Sequence, residues 1–165
     1  MSVEYTPNDE MTQAVSDLIG NADYEEFAPI REQELLFMVA SMVKMDKDGG
    51  ALPTAGEPVI VRRVGAADAV FIQGHFKVYV CNTRWDEAGE TQRKAMLHRA
   101  LMRVEVDKGE KSIKIGMRKP DVCTFQQTIV RFGAWDNDLI VLRNNLQNAQ
   151  RKTKEPPSET GGKSK

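Results

Sequence analysis

In T91-Q-R-K-A-M-L-H-R-A-L-M-R-V104, Arg99 and Arg103 stand four residues apart. On a helix they share a face one turn apart. Two guanidiniums so placed suit bidentate recognition of a carboxylate or phosphate, and having only donors and a fixed charge they cannot ligate a metal. His98 precedes them without a second His four residues on; the only other histidine is His75. A lone helical histidine predicts a partly exposed or hydrogen-bonded side chain. Paired with Asp121 it would be an acid–base couple, which needs a proximity that spacing does not give. The chain has no GxSxG, GxxxxGK[ST] or GxGxxG, and Cys81 and Cys123 lack metal-ligand or redox spacing, which predicts two reduced thiols.

The elements that must position these residues are legible in outline. Asn8 is a predicted N-cap for a helix with Met11, Val15, Leu18 and Ile19 on one face. "ELLFMVASMV" is apolar enough to be a buried strand or a buried helix, which periodicity does not separate. "DKDGGALPTAGEP" is a loop; its Asp46 and Asp48 sit in a pattern that lacks the closing Glu of a calcium loop. "VIVRRV" (59–64) and "FKVYVCN" (76–82) read as strands, with Phe76, Val78 and Val80 alternating against Lys77, Tyr79 and Cys81. A central helix begins near Glu87 and runs through the arginines. "EVDKGEKSIKIGMRKP" then predicts a hairpin, Asp121 caps a helix "VCTFQQTIVRFGAW", and a last amphipathic helix starts near Asp136. The expected class is α+β, a small mixed sheet packed against helices with a β-hairpin after the central helix. One domain over 1–151 and a disordered polar tail over 152–165 are expected.

The net charge of −1 conceals segregation. Between residues 1 and 34, Glu4, Asp9, Glu10, Asp17, Asp23, Glu25, Glu26, Glu32 and Glu34 face Arg31 alone, and the tail is basic. Such separation permits a basic surface on a near-neutral protein. No run is long and apolar enough for a membrane span and the N-terminus is polar and acidic, so a cytoplasmic protein with no membrane partner is expected.

Order and spacing over 77–135 resemble the phage-type metallopeptidases, relatives of the SprT-like zincins. The matching pieces are "KVYVCNTRW" (77–85), "TQRKAMLHRALMR" (91–103), "EVDKGEKSIKI" (105–115) and "RKPDVCTFQQTIVRFGAW" (118–135). The shared framework is Gln92, Arg93, Ala95, Trp85, Asp121, Val122, Phe125, Arg131, Gly133 and Trp135. The resemblance implies a zincin-like fold and, through its weaker match upstream, a strand over residues 34–39. It also sets the family's first zinc-binding His on Arg99, its catalytic Glu on Ala100, its second His on Arg103 and its third ligand on Pro120. An HExxH site needs two neutral imidazoles on one helix face with a carboxylate between them. None of these positions keeps its chemistry, and a one-residue shift to His98 pairs it with Met102.

The resemblance therefore implies a pseudoenzyme with no metal or cofactor. Two roles for Arg99 and Arg103 stay open: ion pairs to Asp121 and nearby acids that replace zinc as a cross-link, or an anion-recognition pair. Lys108, Lys111, Lys114, Arg118 and Lys119 fall on or just after the hairpin, and Lys111, Arg118 and Lys119 are placed with Arg84 and Arg93 on a positive surface near the cleft. No aromatic lies between 104 and 119, which counts against base stacking there though not against phosphate contacts. The leading expectation is an inactive phage or prophage binding module that inhibits or redirects a host protein complex, transcription or defence machinery. Nucleic-acid binding through the hairpin and the Arg99/Arg103 cleft is the alternative. The acidic N-terminal region and the arginine cleft, with His98 and Asp121, are the candidate docking surfaces.

Overall fold

The computed structural model describes residues 2–48, 50–52, 57–109, 112–119, 126–136, 139–141, 143–145 and 147. Its centre is a five-stranded mixed sheet. Strand β2 (Phe37–Met45) is flanked on one edge by β1 (Ser2–Pro7), antiparallel, and on the other by β5 (Phe76–Cys81), parallel. Strand β4 (Val59–Arg63) closes the far edge against β5, and the short β3 (Ala51–Leu52) takes up the edge of β2 that β5 leaves beyond Met42.

The alternation in β5 works as the sequence suggests. Phe76, Val78 and Val80 are buried and lie beside Phe37, Val39 and Ser41 of β2, while Lys77 and Tyr79 point to the other face. Onto the first face pack α1 (Asp9–Gly20), through Met11, Val15 and Leu18, and α4 (Glu90–Leu101), through Ala95, Met96, Leu97 and Leu101. The Asn8 side chain caps α1 by accepting from Met11 N–H at 3.0 Å. The predicted hairpin is present as β6 (Val104–Lys108) and β7 (Ile113–Met117).

Three expectations need correction. Ser2–Pro7 is a strand, though its polar, acidic composition gave no strand reading; backbone pairing with β2 decides it. Strand β2 begins at Phe37 instead of Glu34, because α2 (Ala28–Glu32) ends in a Schellman motif. There Leu35 N–H donates to Ile30 O and Glu34 N–H to Arg31 O, with Glu34 left-handed at φ 47°. A helix without a counterpart in the sequence reading, α3 (Asn82–Glu87), precedes the central one, and the central helix α4 starts at Glu90 after Gly89, whose N–H donates to Gln92 Oε1, and not near Glu87. It also ends earlier than expected, at Leu101, so Arg103 lies on the turn into β6 and not on the helix.

Helix α5 (Gln126–Phe132) ends at Gly133, φ 66°, the left-handed geometry that glycine adopts without strain. Residues 139–141, 143–145 and 147 are helical, and Ile140 N–H donates to Asp136 O as the last helix starts. The expected tail (152–165), Asp121 as a cap, Pro120, Lys111, Cys123, Val122 and Phe125 all lie outside the described residues.

Candidate functional site

The end of α4 and the start of β4 meet at one carboxylate. Glu57, two residues before β4, is carried there because β4 packs beside α4. Its Oε2 accepts from Arg103 Nη1 at 2.8 Å and its Oε1 lies 3.6 Å from Arg99 Nη2. The expectation that acids would bridge the two arginines finds Glu57 as the acid; Asp121 is outside the described residues. The arginine and glutamate side chains are 23–40% exposed, so this is a half-solvated cluster.

Between them lies a cleft of about 10 Å³ lined by Glu57, Pro58, Val59, Met96, Arg99, Ala100 and Arg103, room for about one water. Ala100 is buried in the core, and Arg103 Nε is buried without a hydrogen-bond partner. A zinc ion does not fit this donor set. Guanidiniums hold no lone pair for a metal and repel it, and Ala100 offers no proton acceptor. Among the described residues no group of three or more His, Cys, Asp or Glu side chains is placed to hold an ion.

His98 belongs to a different environment, and its placement as a cleft or partner-binding residue is corrected. It is fully buried on the side of α4 that meets α5. The aromatic rings of Tyr24, Phe27 and Phe132 surround it with centroids 5.1–5.7 Å away. Its Nε2 lies 2.6 Å from Glu26 Oε1 and its Nδ1 2.9 Å from Thr128 Oγ1. Arg131 completes the network, donating from Nε and Nη2 to the two oxygens of Glu26 at 2.7 and 2.9 Å and stacking 4.4 Å over Tyr24.

Burial alone would raise the Glu26 pKa, but hydrogen bonds from Arg131 and His98 outweigh it and bring it down to about 2. Burial pushes His98 below its ordinary value against the opposing pull of Glu26. A neutral ring satisfies both contacts when Nε2–H donates to Glu26 and the Thr128 hydroxyl donates to Nδ1. The order Glu–His–Thr imitates a catalytic relay, yet Thr128 is wholly buried and no substrate reaches it. It is a structural core.

The remaining candidates scatter. Arg93 turns towards α1: its guanidinium lies 5.0 Å over Trp85, Nε donates to Trp85 O and Nη1 to Glu10 Oε1. Arg84 lines a separate cavity of about 200 Å³ with Glu87, Gln92, Trp135 and Asp136. Arg118 does reach the cleft's rim, its N–H donating to Arg103 O and its Nε to Met102 O at 2.6 Å. Lys108 pairs with Glu32, and Lys119 is exposed. Arg84, Arg93 and Arg118 thus have different partners, although the cavity at Arg84 shares Met96 with the arginine cleft; Lys111 lies outside the described residues. No local pattern marks Glu57, set in a Gly/Pro loop 46 residues from Arg103, or Glu26 and Thr128 as partners of His98.

No curated protein and no solved structure gives a significant match to the chain. A family model does: residues 3–148 match the one described as "Putative phage metallopeptidase", a span that covers every element described above except Ser2 at the start of β1. The chain belongs to that family, as a member whose described residues form no metal-holding group.

Proposed function

We propose that this family member no longer hydrolyses peptides and works as an inactive zincin-like binding module, docking on a macromolecular complex of the host, with transcription or defence machinery the expected target. The observation that supports this reading is the Arg99–Glu57–Arg103 cluster at the positions where the resemblance sets the zinc ligands. Two fixed cations there oppose a divalent ion, and their shared carboxylate ties α4 to β4 as a metal would. A scaffold that folds without its reactive centre retains its surface as its working part.

The alternative, nucleic-acid binding through the hairpin and the arginine cleft, draws little from the geometry. Arg99 and Arg103 are engaged by Glu57, Lys108 by Glu32, and Arg118 by the Met102 carbonyl.

The test measures metal content, proteolysis and partners on one preparation of tagged protein. Less than stoichiometric zinc, no cleavage of unfolded protein substrates, a melting temperature indifferent to chelator and a defined, nuclease-resistant protein complex are expected. Stoichiometric zinc with chelator-sensitive cleavage would sink the reading. Restoring Arg99→His, Ala100→Glu, Arg103→His and Pro120→His together is expected to confer zinc binding. A folded quadruple variant that ignores zinc would count against the alignment of these positions with the family's site.

A further inference from the structure

Among the described residues, helices α1 and α4 pack on one face of the sheet. The register places on the other face Val3, Tyr5 and Pro7 of β1, Met38 to Lys44 at every second position of β2, Ile60 and Arg62 of β4, and Lys77 and Tyr79 of β5. This face is open towards β1 and the start of β2, where Tyr5 is 53% exposed and Met38 43%, whereas Met42 and its neighbour Cys81 on the same face are buried. Across its middle the rings of Tyr5 and Tyr79 approach to 4.7 Å between centroids, leaning together over the small Ala40 that lies beside Tyr79.

Cations flank the ring pair along the strands. Lys44 sits one step beyond Tyr5 on the neighbouring strand, and Lys77 and Arg62 are cross-strand partners one step beyond Tyr79 in the other direction. The strands bring no carboxylate to this face. Asp68, from the loop after β4, pairs with Lys77 at 2.5 Å; Lys44 and Arg62 have no ion pair among the described residues. That same loop holds Phe71, 88% exposed.

We infer that this open sheet face binds single-stranded nucleic acid, with bases stacked on Tyr5 and Tyr79 and phosphates held by Lys44, Arg62 and Lys77. The warrant is complementarity of two kinds. The exposed Tyr5 ring packed on the half-buried Tyr79 ring gives a sequence-tolerant stacking surface. The cations at both ends of the pair, of which only Lys77 meets an acid among the described residues, match a polyanionic backbone. A protein-docking face differs in this respect, since lysine is depleted from the centres of protein interfaces. The hairpin has cations without rings; the sheet has both. The inference is independent of whether the cleft is inactive, and it uses none of the cleft's residues.

The test is fluorescence anisotropy of a labelled oligothymidine about 16 nucleotides long, titrated with the full chain at several salt concentrations. Binding is expected at low salt, with log K falling against log salt at a slope of roughly −1.4 to −2.1 for two to three phosphates. Tyr5→Ala, and Lys44→Glu with Arg62→Glu, are each expected to weaken it about tenfold or more. Tyr5→Phe keeps the ring and retains binding, and Lys114→Glu on the hairpin leaves it unchanged. Circular dichroism confirms that each variant is folded. No binding at low salt overturns the proposal. So does a hairpin variant as damaging as the sheet variants, or a duplex bound as tightly as the single strand. Sheet variants that alter self-association and spare oligonucleotide binding also overturn it, and assign the face to a protein.

Discussion

His98 and Arg99 are consecutive on α4, and the helix turns them into opposite environments. His98 enters a closed network in which each polar atom meets a partner: Thr128 on one side, Glu26 on the other, and Arg131 behind Glu26. Arg99 enters a half-solvated cluster where one carboxylate serves two guanidiniums and Arg103 Nε is left without a partner. The first arrangement is costly to disturb, because removing a member strands buried polar groups. The second is screened by water, and its loss is cheap. The resemblance to the family points at the second as the former centre of chemistry, whereas energy is concentrated in the first.

The largest expected effect follows from breaking the closed side. His98→Leu strands the Thr128 hydroxyl in the core and removes a donor from Glu26, at an expected cost of about 2–4 kcal/mol in chemical denaturation. If that variant is as stable as the wild type, the network is not holding α4 to α5.

Acid should attack the same side without mutation. His98 binds its proton less readily folded than unfolded, so stability is flat above about pH 6.5 and declines as pH falls below it. Glu26, held near 2 from an ordinary 4.5, adds a second loss between those values, up to roughly 3 kcal/mol at 1.36 kcal/mol per pH unit. Unfolding midpoints measured from pH 8 to 2 should show both stages, and His98→Leu should erase the upper one.

On the open side, Glu57→Gln is expected to cost about 0.5–1 kcal/mol, less in high salt. A loss as large as that of His98→Leu would mean that the cluster is the stronger tie. The smallest effect expected is a gain. Glu34→Gly relieves the left-handed position that ends α2 and should stabilise the fold by roughly 0.5–1 kcal/mol, read as a higher melting temperature.

The contrast also marks what a linear reading can reach. Asn8 as a cap, the alternation of β5 and the hairpin are local patterns, and each is found where the residues suggest. The turn at Met102 is local too, but apolar residues continue across it from Leu101 to Val104 and hide it. Arg99, Ala100 and Arg103 were placed together by resemblance, and the structure does gather them at one cleft. Glu57 was invisible because nothing in "PTAGEP" marks a residue that will meet a helix end 46 positions away. His98 is hydrogen-bonded, as a lone helical histidine predicts, but it does not join the cleft, because its partners come from residues 26 and 128, one on each side in the chain. The open sheet face needed the register of four strands before Tyr5, Tyr79, Lys44 and Arg62 could be seen as neighbours.

The order of strands carries a consequence in time. Strand β1 finds its partner β2 within the first 45 residues, but β4, which positions Glu57, pairs with β5 alone, and β5 is made after it. During synthesis the carboxylate that closes the cleft therefore has no anchored strand until Cys81 has emerged, and no arginine to meet until Arg99 and Arg103 follow. The cleft at which the resemblance sets the family's metal site thus closes only after all five strands of the sheet have been made.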